Sequence, residues 1–114
     1  MPLVHTISEL ESITPGSYKK YGGELYSNER MYAQISGEFT GLVKFECSID
    51  EQEWFPMGVF PVDGGGGVGN QQAVTETDEP GIYVAISFPH FIRVLVPSST
   101  VGSPDVVIDM VSHK

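Results

Sequence analysis

The chain has 114 residues, 40% hydrophobic and only 18% charged, with 13 Gly and 8 Pro; that is one domain with a single core, and too rich in turn formers for a helical bundle. Fifteen acidic residues against six basic ones give a formal charge of −9. Because Lys19, Lys20, Arg30, Lys44, Arg93 and Lys114 are also dispersed along the chain, the balance argues against a nucleic-acid partner.

No stretch of 18 apolar residues marks a membrane span, and the first residues lack the basic and apolar regions of a signal peptide. The expectation is a chain that stays in the cytosol or leaves it as part of a particle. Cys47 is the only cysteine, so no intrachain disulfide forms, and its parity within a strand predicts a buried, inert thiol.

Residues 1–16 read as an N-terminal arm and residues 17–114 as a β-sandwich domain. Ser8 to Glu11 match a capping box, but Pro15 and Gly16 leave space for about one helical turn. Leu3, Val4, Ile7, Leu10 and Ile13 are apolar with little local structure to bury them. They are expected either to add a strand to the chain's own sheet or to pack on a neighbouring subunit. Residues 17–26 offer two short strands around the Gly22 and Gly23 pair. Met31, Ala33 and Ile35 then alternate with Tyr32, Gln34 and Ser36 as a further strand.

Residues 37–56 read as one β-hairpin. Phe39, Gly41, Val43, Phe45, Cys47 and Ile49 share one parity, and Thr40, Leu42, Lys44, Glu46, Ser48 and Asp50 share the other, as in a half-buried strand. Four polar residues, Asp50 to Glu53, make the reversal. In the returning segment both parities are apolar: Trp54, Pro56, Gly58 and Phe60 against Phe55, Met57 and Val59. This predicts either a central strand covered on both sides or an interface into which Trp54 or Phe55 protrudes.

Residues 63–70 are glycine-rich. No Lys-Ser or Lys-Thr follows the glycines and no helix pattern begins there, so a phosphate loop is rejected in favour of a flexible connection, with Gly65 and Gly66 able to mould against a partner. Gln71 to Thr77 suggest another strand. Ile82, Val84, Ile86 and Phe88 alternate with Tyr83, Ala85 and Ser87, and Ile92, Val94 and Val96 alternate with Arg93 and Leu95. Arg93 reads as a surface cation paired with a carboxylate. Val106, Ile108 and Met110 close the sheet.

The sum is an all-β antiparallel sandwich of about eight strands, of jelly-roll or immunoglobulin-like order, which periodicity does not separate. His5, His90 and His113 have no zinc spacing. The acidic pairs Glu9 and Glu11, Glu51 and Glu53, and Glu76 and Asp78 lie in polar or turn-like stretches where a solvated acid is expected. Asp63, and Asp50 with Glu51, lack the spacing of a calcium loop. No catalytic residue, cofactor site or metal site is predicted, and the chain is expected not to be an enzyme.

The segment matching G-x-F-x-G-x-V-x-F-E-x-S-x-D-x-x-x-W-x-P, the run Ile92-Arg93-Val94-Leu95-Val96, and Gly102-Ser103-Pro104 before a β-branched run resemble domains of tailed-bacteriophage virion proteins. The resemblance spans roughly residues 17–111, and its motifs are strand and turn signatures. It implies a jelly-roll fold and a place in the virion, assembled in the host cytoplasm. The implied roles are a capsid decoration or cement protein on the major capsid protein lattice, or a tail or head–tail connector or fibre component. A homo-oligomer is expected, a trimer bridging neighbouring capsomers in the decoration role. The interface candidates are Leu3, Val4, Ile7, Leu10, Ile13, Trp54, Phe55, Gly65 and Gly66. A carbohydrate-binding module is the alternative from another class, with Tyr32 and Tyr83 expected to be displayed outward.

Overall fold

The computed structural model describes residues 3–22, 27–62, 72–86 and 90–113. Eleven strands follow in chain order: β1 (Leu3–Ile7), β2 (Glu11–Ser12), β3 (Tyr18–Gly22), β4 (Ser27–Ser36), β5 (Val43–Ser48), β6 (Phe55–Pro56), β7 (Phe60–Val62), β8 (Glu76–Thr77), β9 (Gly81–Ile86), β10 (Phe91–Leu95) and β11 (Asp105–His113). Three are two-residue pairings, which leaves eight longer strands among the described residues, the number expected. One sheet runs β1-β11-β4-β9-β7 with β2 also on β11, and the other runs β3-β10-β5-β6 with β8 also on β5.

The pairing is nested. β1 and β2 pair with β11, β3 with β10, β4 with β9 and β5 with β8, all antiparallel. Successive pairs fall in alternate sheets, and the β4·β11 and β5·β10 ladders join them. This is a long hairpin rolled up on itself, the jelly-roll order, and it excludes the immunoglobulin-like alternative.

The alternation read from the sequence supplies the core. Met31, Ala33 and Ile35 on β4, Val43 and Phe45 on β5, Ile92 and Val94 on β10, and Val106, Ile108 and Met110 on β11 all lie in one buried cluster. Each large side chain there stabilises the fold by roughly 1.5–3 kcal/mol through burial. Leu3 to Ile7, the front of the N-terminal arm, pair with His113 to Asp109 of β11. Ile13 lies in the core, 4% exposed.

Three expectations change. The alternation from Phe39 to Ile49 ends early, since Ser48 is buried and Ile49 exposed. The Ser48 hydroxyl accepts the N–H groups of Asp50 and Glu51 at 3.2 and 2.9 Å. Asp50 Oδ1 accepts those of Gln52 and Glu53 at 2.8 and 3.1 Å. These local bonds compete with the ladder and win, turning the chain before Ile49 can face inward. The Gln52 amide, then that of Glu53, also hold the Asp50 carboxyl below its usual range.

The apolar segment after Trp54 is not one central strand. Phe55 and Pro56 pair at the edge of one sheet, Phe60 to Val62 at the edge of the other, and Met57 and Val59 cross the core between them. Pro56 and Pro61 donate no N–H, which suits edge positions. Both parities are apolar because the segment changes sheets.

Tyr83 is not displayed. It is 4% exposed, its ring lies 5.6 Å from that of Phe45, and its hydroxyl donates to the Glu79 carbonyl at 2.7 Å and meets the Thr77 hydroxyl at 2.6 Å. A buried tyrosine is tolerated where its hydroxyl finds partners, and the Glu79 turn provides them. Residues 63–70, with Gly65 and Gly66, lie outside the described residues.

Tyr21 is the counter-example. Its ring packs against the core, but its hydroxyl is buried with no hydrogen-bond partner among the described residues. Burial, then the Glu11 carboxylate, push its pKa up to about 12. The neutral phenol is the folded form and the unfolded chain ionises near 10. Stability from this group is therefore complete below about 10 and falls as pH rises towards 12. Tyr21→Phe is expected to cost little at neutral pH and to flatten the loss of stability between pH 10 and 12. Urea midpoints of both proteins across that range check it.

Candidate interaction surface

In an antiparallel ladder, residues directly opposite each other project from the same face. With Met31, Ala33 and Ile35 pointing inward, the outer face of the β1-β11-β4-β9-β7 sheet follows from the register. One row reads His5, Val111, Arg30, Ile86; the next Ile7, Asp109, Tyr32, Val84, Phe60; the third Val107, Gln34, Ile82, Val62. An outward sheet face normally carries polar side chains. This one is mainly apolar.

Ile7 is 66% exposed, Ile86 61% and Ile82 41%, and Val62 is exposed beside them. Val84 and Val111, on this same outer face by register, are buried yet stand outside the core cluster. A groove of about 190 Å³ lined by Tyr32, Gln34, Ile82, Val107 and Asp109 dents its middle.

Arg30 and Asp105 carry charge at the two ends, and Asp109 carries it in the middle row, where it lines the groove beside His5. His5 Nδ1 lies 3.2 Å from both oxygens of Asp109. The Asp105 carboxylate accepts a short hydrogen bond from the Ser12 hydroxyl. Arg30, half-buried, has no ion-pair partner among the described residues, and Asp105 has no cation.

The other sheet presents a different surface. Arg93 lies opposite Glu46 and Lys20 in register, and its Nε donates to Glu46 Oε1 at 2.6 Å. The guanidinium sits 4.5 Å from the ring centre of Trp54 and 4.7 Å from that of Tyr18. The surface cation read from the sequence is thus a planar group held between two aromatic rings. Arg93→Ala is expected to lower stability by about 1–3 kcal/mol, because a mostly buried carboxylate and two stacking contacts are left open. Arg93→Lys recovers only part of this, since an ammonium cannot stack between rings. Urea unfolding followed by Trp54 fluorescence measures both.

The remaining candidates scatter. Leu3 is placed on β1 by its backbone, Val4 is half-buried there, and Leu10 stands exposed between β1 and β2. Phe55, 59% exposed, edges a pocket of about 240 Å³ with Cys47, Ser48, Ile49, Asp50 and Glu53. Burial, then the adjacent Glu46, push the Cys47 thiol above its ordinary value. Among the described residues no three His, Cys, Asp or Glu side chains converge as metal ligands, and no helix is long and apolar enough to cross a membrane.

Of the interface candidates read from sequence, only Ile7 lies on the apolar outer face with a described side chain. Tyr32, read as displayed outward, lies there too, whereas Ile82, Val84, Ile86 and Val107 were missed. The available signal was β9, whose two parities are both apolar; in an antiparallel sheet that marks a strand covered on both sides.

No family model matches the chain, and no curated protein matches its sequence. Its fold is similar to the crystal structure of the SPBc2 prophage-derived protein YomS, with a TM-score of 0.68 over 98% of this chain and 96% of that one, at 14% identity.

Proposed function

We propose that this chain is a non-enzymatic structural protein of a bacteriophage particle, a capsid decoration or cement protein that binds the lattice of the major capsid protein. The observation that carries the reading is the apolar outer face built on Ile7, Tyr32, Ile82, Ile86 and Val107. Monomeric soluble domains rarely leave a contiguous apolar face of this kind open, whereas components of assemblies bury it against neighbours.

The phage setting is supported by the likeness in fold to a prophage-derived protein and by the strand and turn motif of residues 37–56. Within that setting the chain resides in the virion, with a tail or head–tail connector position as the alternative. The carbohydrate-binding alternative loses ground. Tyr83 is in the core, and Arg93 occupies a face of both Trp54 and Tyr18.

The test mixes the purified chain with mature capsids from its source and sediments the particles. Saturating co-sedimentation at a stoichiometry commensurate with the capsid lattice is expected. A chain that stays in the supernatant at all ratios overturns the decoration role.

A further inference from the structure

We infer that the outer face of the β1-β11-β4-β9-β7 sheet is where a second copy of this chain packs, face to face, with the two-fold axis lying in the interface and across the strands. This deepens the reading above by naming the surface through which copies meet. Three observations select a second copy as the occupant.

The first is extent. Five strands spaced about 4.8 Å apart, over rows about 20 Å long from Arg30 to Ser36, present on the order of 500 Å² in plan. With side-chain relief the area approaches the roughly 800 Å² per partner of a standard interface. A small ligand would leave most of it bare.

The second is charge. Arg30 lies at one end of the face and Asp105, on the adjacent strand and opposite Ser36, at the other. Neither has an ionic partner among the described residues. An axis across the strands inverts one copy end to end, so each Arg30 meets the other copy's Asp105, and symmetry makes the pair twice. An axis along the strands would set Arg30 against Arg30 instead. The net charge of −9 makes such cross-pairs more important, since the two copies otherwise repel.

The third is shape. The groove between Tyr32, Gln34, Ile82, Val107 and Asp109 lies midway between the charged ends, where side chains of the two copies interdigitate. Sheets packed this way align within about 30°.

The test uses the full chain without any particle. Light scattering after size exclusion is expected to give twice the 12.4 kDa chain mass. Ile82→Glu with Ile86→Glu should return it to a single chain, with strand circular dichroism unchanged because both side chains are already exposed. Arg30→Glu alone should weaken association at least tenfold, and Arg30→Glu with Asp105→Arg should restore it. The charge pair decides the matter even if the isoleucine variant fails to fold. A single-chain mass at all concentrations overturns the proposal, as does an oligomer indifferent to these substitutions. Either result leaves capsid binding to be judged by sedimentation, so the two readings fail separately.

Discussion

Phe45→Ala is expected to cost about 3–5 kcal/mol, which lowers the midpoint of thermal unfolding by roughly 12–20 °C in a domain of this size. Phe45 is fully buried at the centre of the sandwich. Its backbone joins β5 to the next segments, the amide donating to Thr75 at 3.0 Å and the carbonyl accepting from Met57 at 2.9 Å. Removing the ring opens a cavity beside Tyr83, whose own position is pinned by its bonded hydroxyl and cannot relax inward. Against a total stability of about 5–15 kcal/mol, that loss brings the protein to the margin of folding. Phe55→Ala, ten residues on and exposed, is expected to stay within about 0.5 kcal/mol. Equal losses from the two would mean that the inward parity of the hairpin is misassigned.

Gly102→Ala is expected to cost about 2–4 kcal/mol although it adds one methyl group. Thr40 and Val101 form an isolated bridge, with their amides and carbonyls exchanged at 2.8 Å. A glycine flanks it on each strand. Gly102 has φ +89°, and a Cβ there would fall 2.6 Å from the Glu38 carbonyl oxygen; Gly41 has φ +125°, and its Cβ would fall 2.9 Å from Thr100 Cα. The positive φ alone costs about 1–2 kcal/mol for an alanine. The collision is with backbone, which cannot swing aside, so the bridge must open and release the buried Thr100 hydroxyl from the Leu42 carbonyl. Gly41→Ala acts on the same bridge. The double variant should therefore lose clearly less than the sum of the two single ones. Urea midpoints for the three proteins check this, and strict additivity would show that the clasp is not one unit.

Much of the fold was legible because a half-buried strand writes its inward residues at every second position. Met31 to Ile35, Ile92 to Val96 and Val106 to Met110 are such runs, and their inward sets match the core. Strand order was not legible. The pairing of Leu3 with His113 or of Tyr18 with Leu95 joins residues that leave no mark on each other's sequence.

The candidate surface was largely hidden for a related reason. Parity shows that Ile82, Val84 and Ile86 share a face, but with Tyr83 and Ala85 opposite them it does not say which set faces the core. Packing decided it: Tyr83 has bonded partners for its hydroxyl inside, and the aliphatic set was left outside. Ile13 went the other way, from arm to core, because its amide is bonded to the Pro104 carbonyl at 2.9 Å and directs the chain into the sandwich.

The central claim, that the chain is a structural part of a phage particle, is tested most directly by the protein composition of gradient-purified particles from its source, before and after a high-salt wash. Peptides of this chain should appear at a fixed ratio to the major capsid protein and survive the wash, since apolar contacts are not screened by salt. Its absence from the particles, while it is abundant in the lysate of the same cells, would contradict the account.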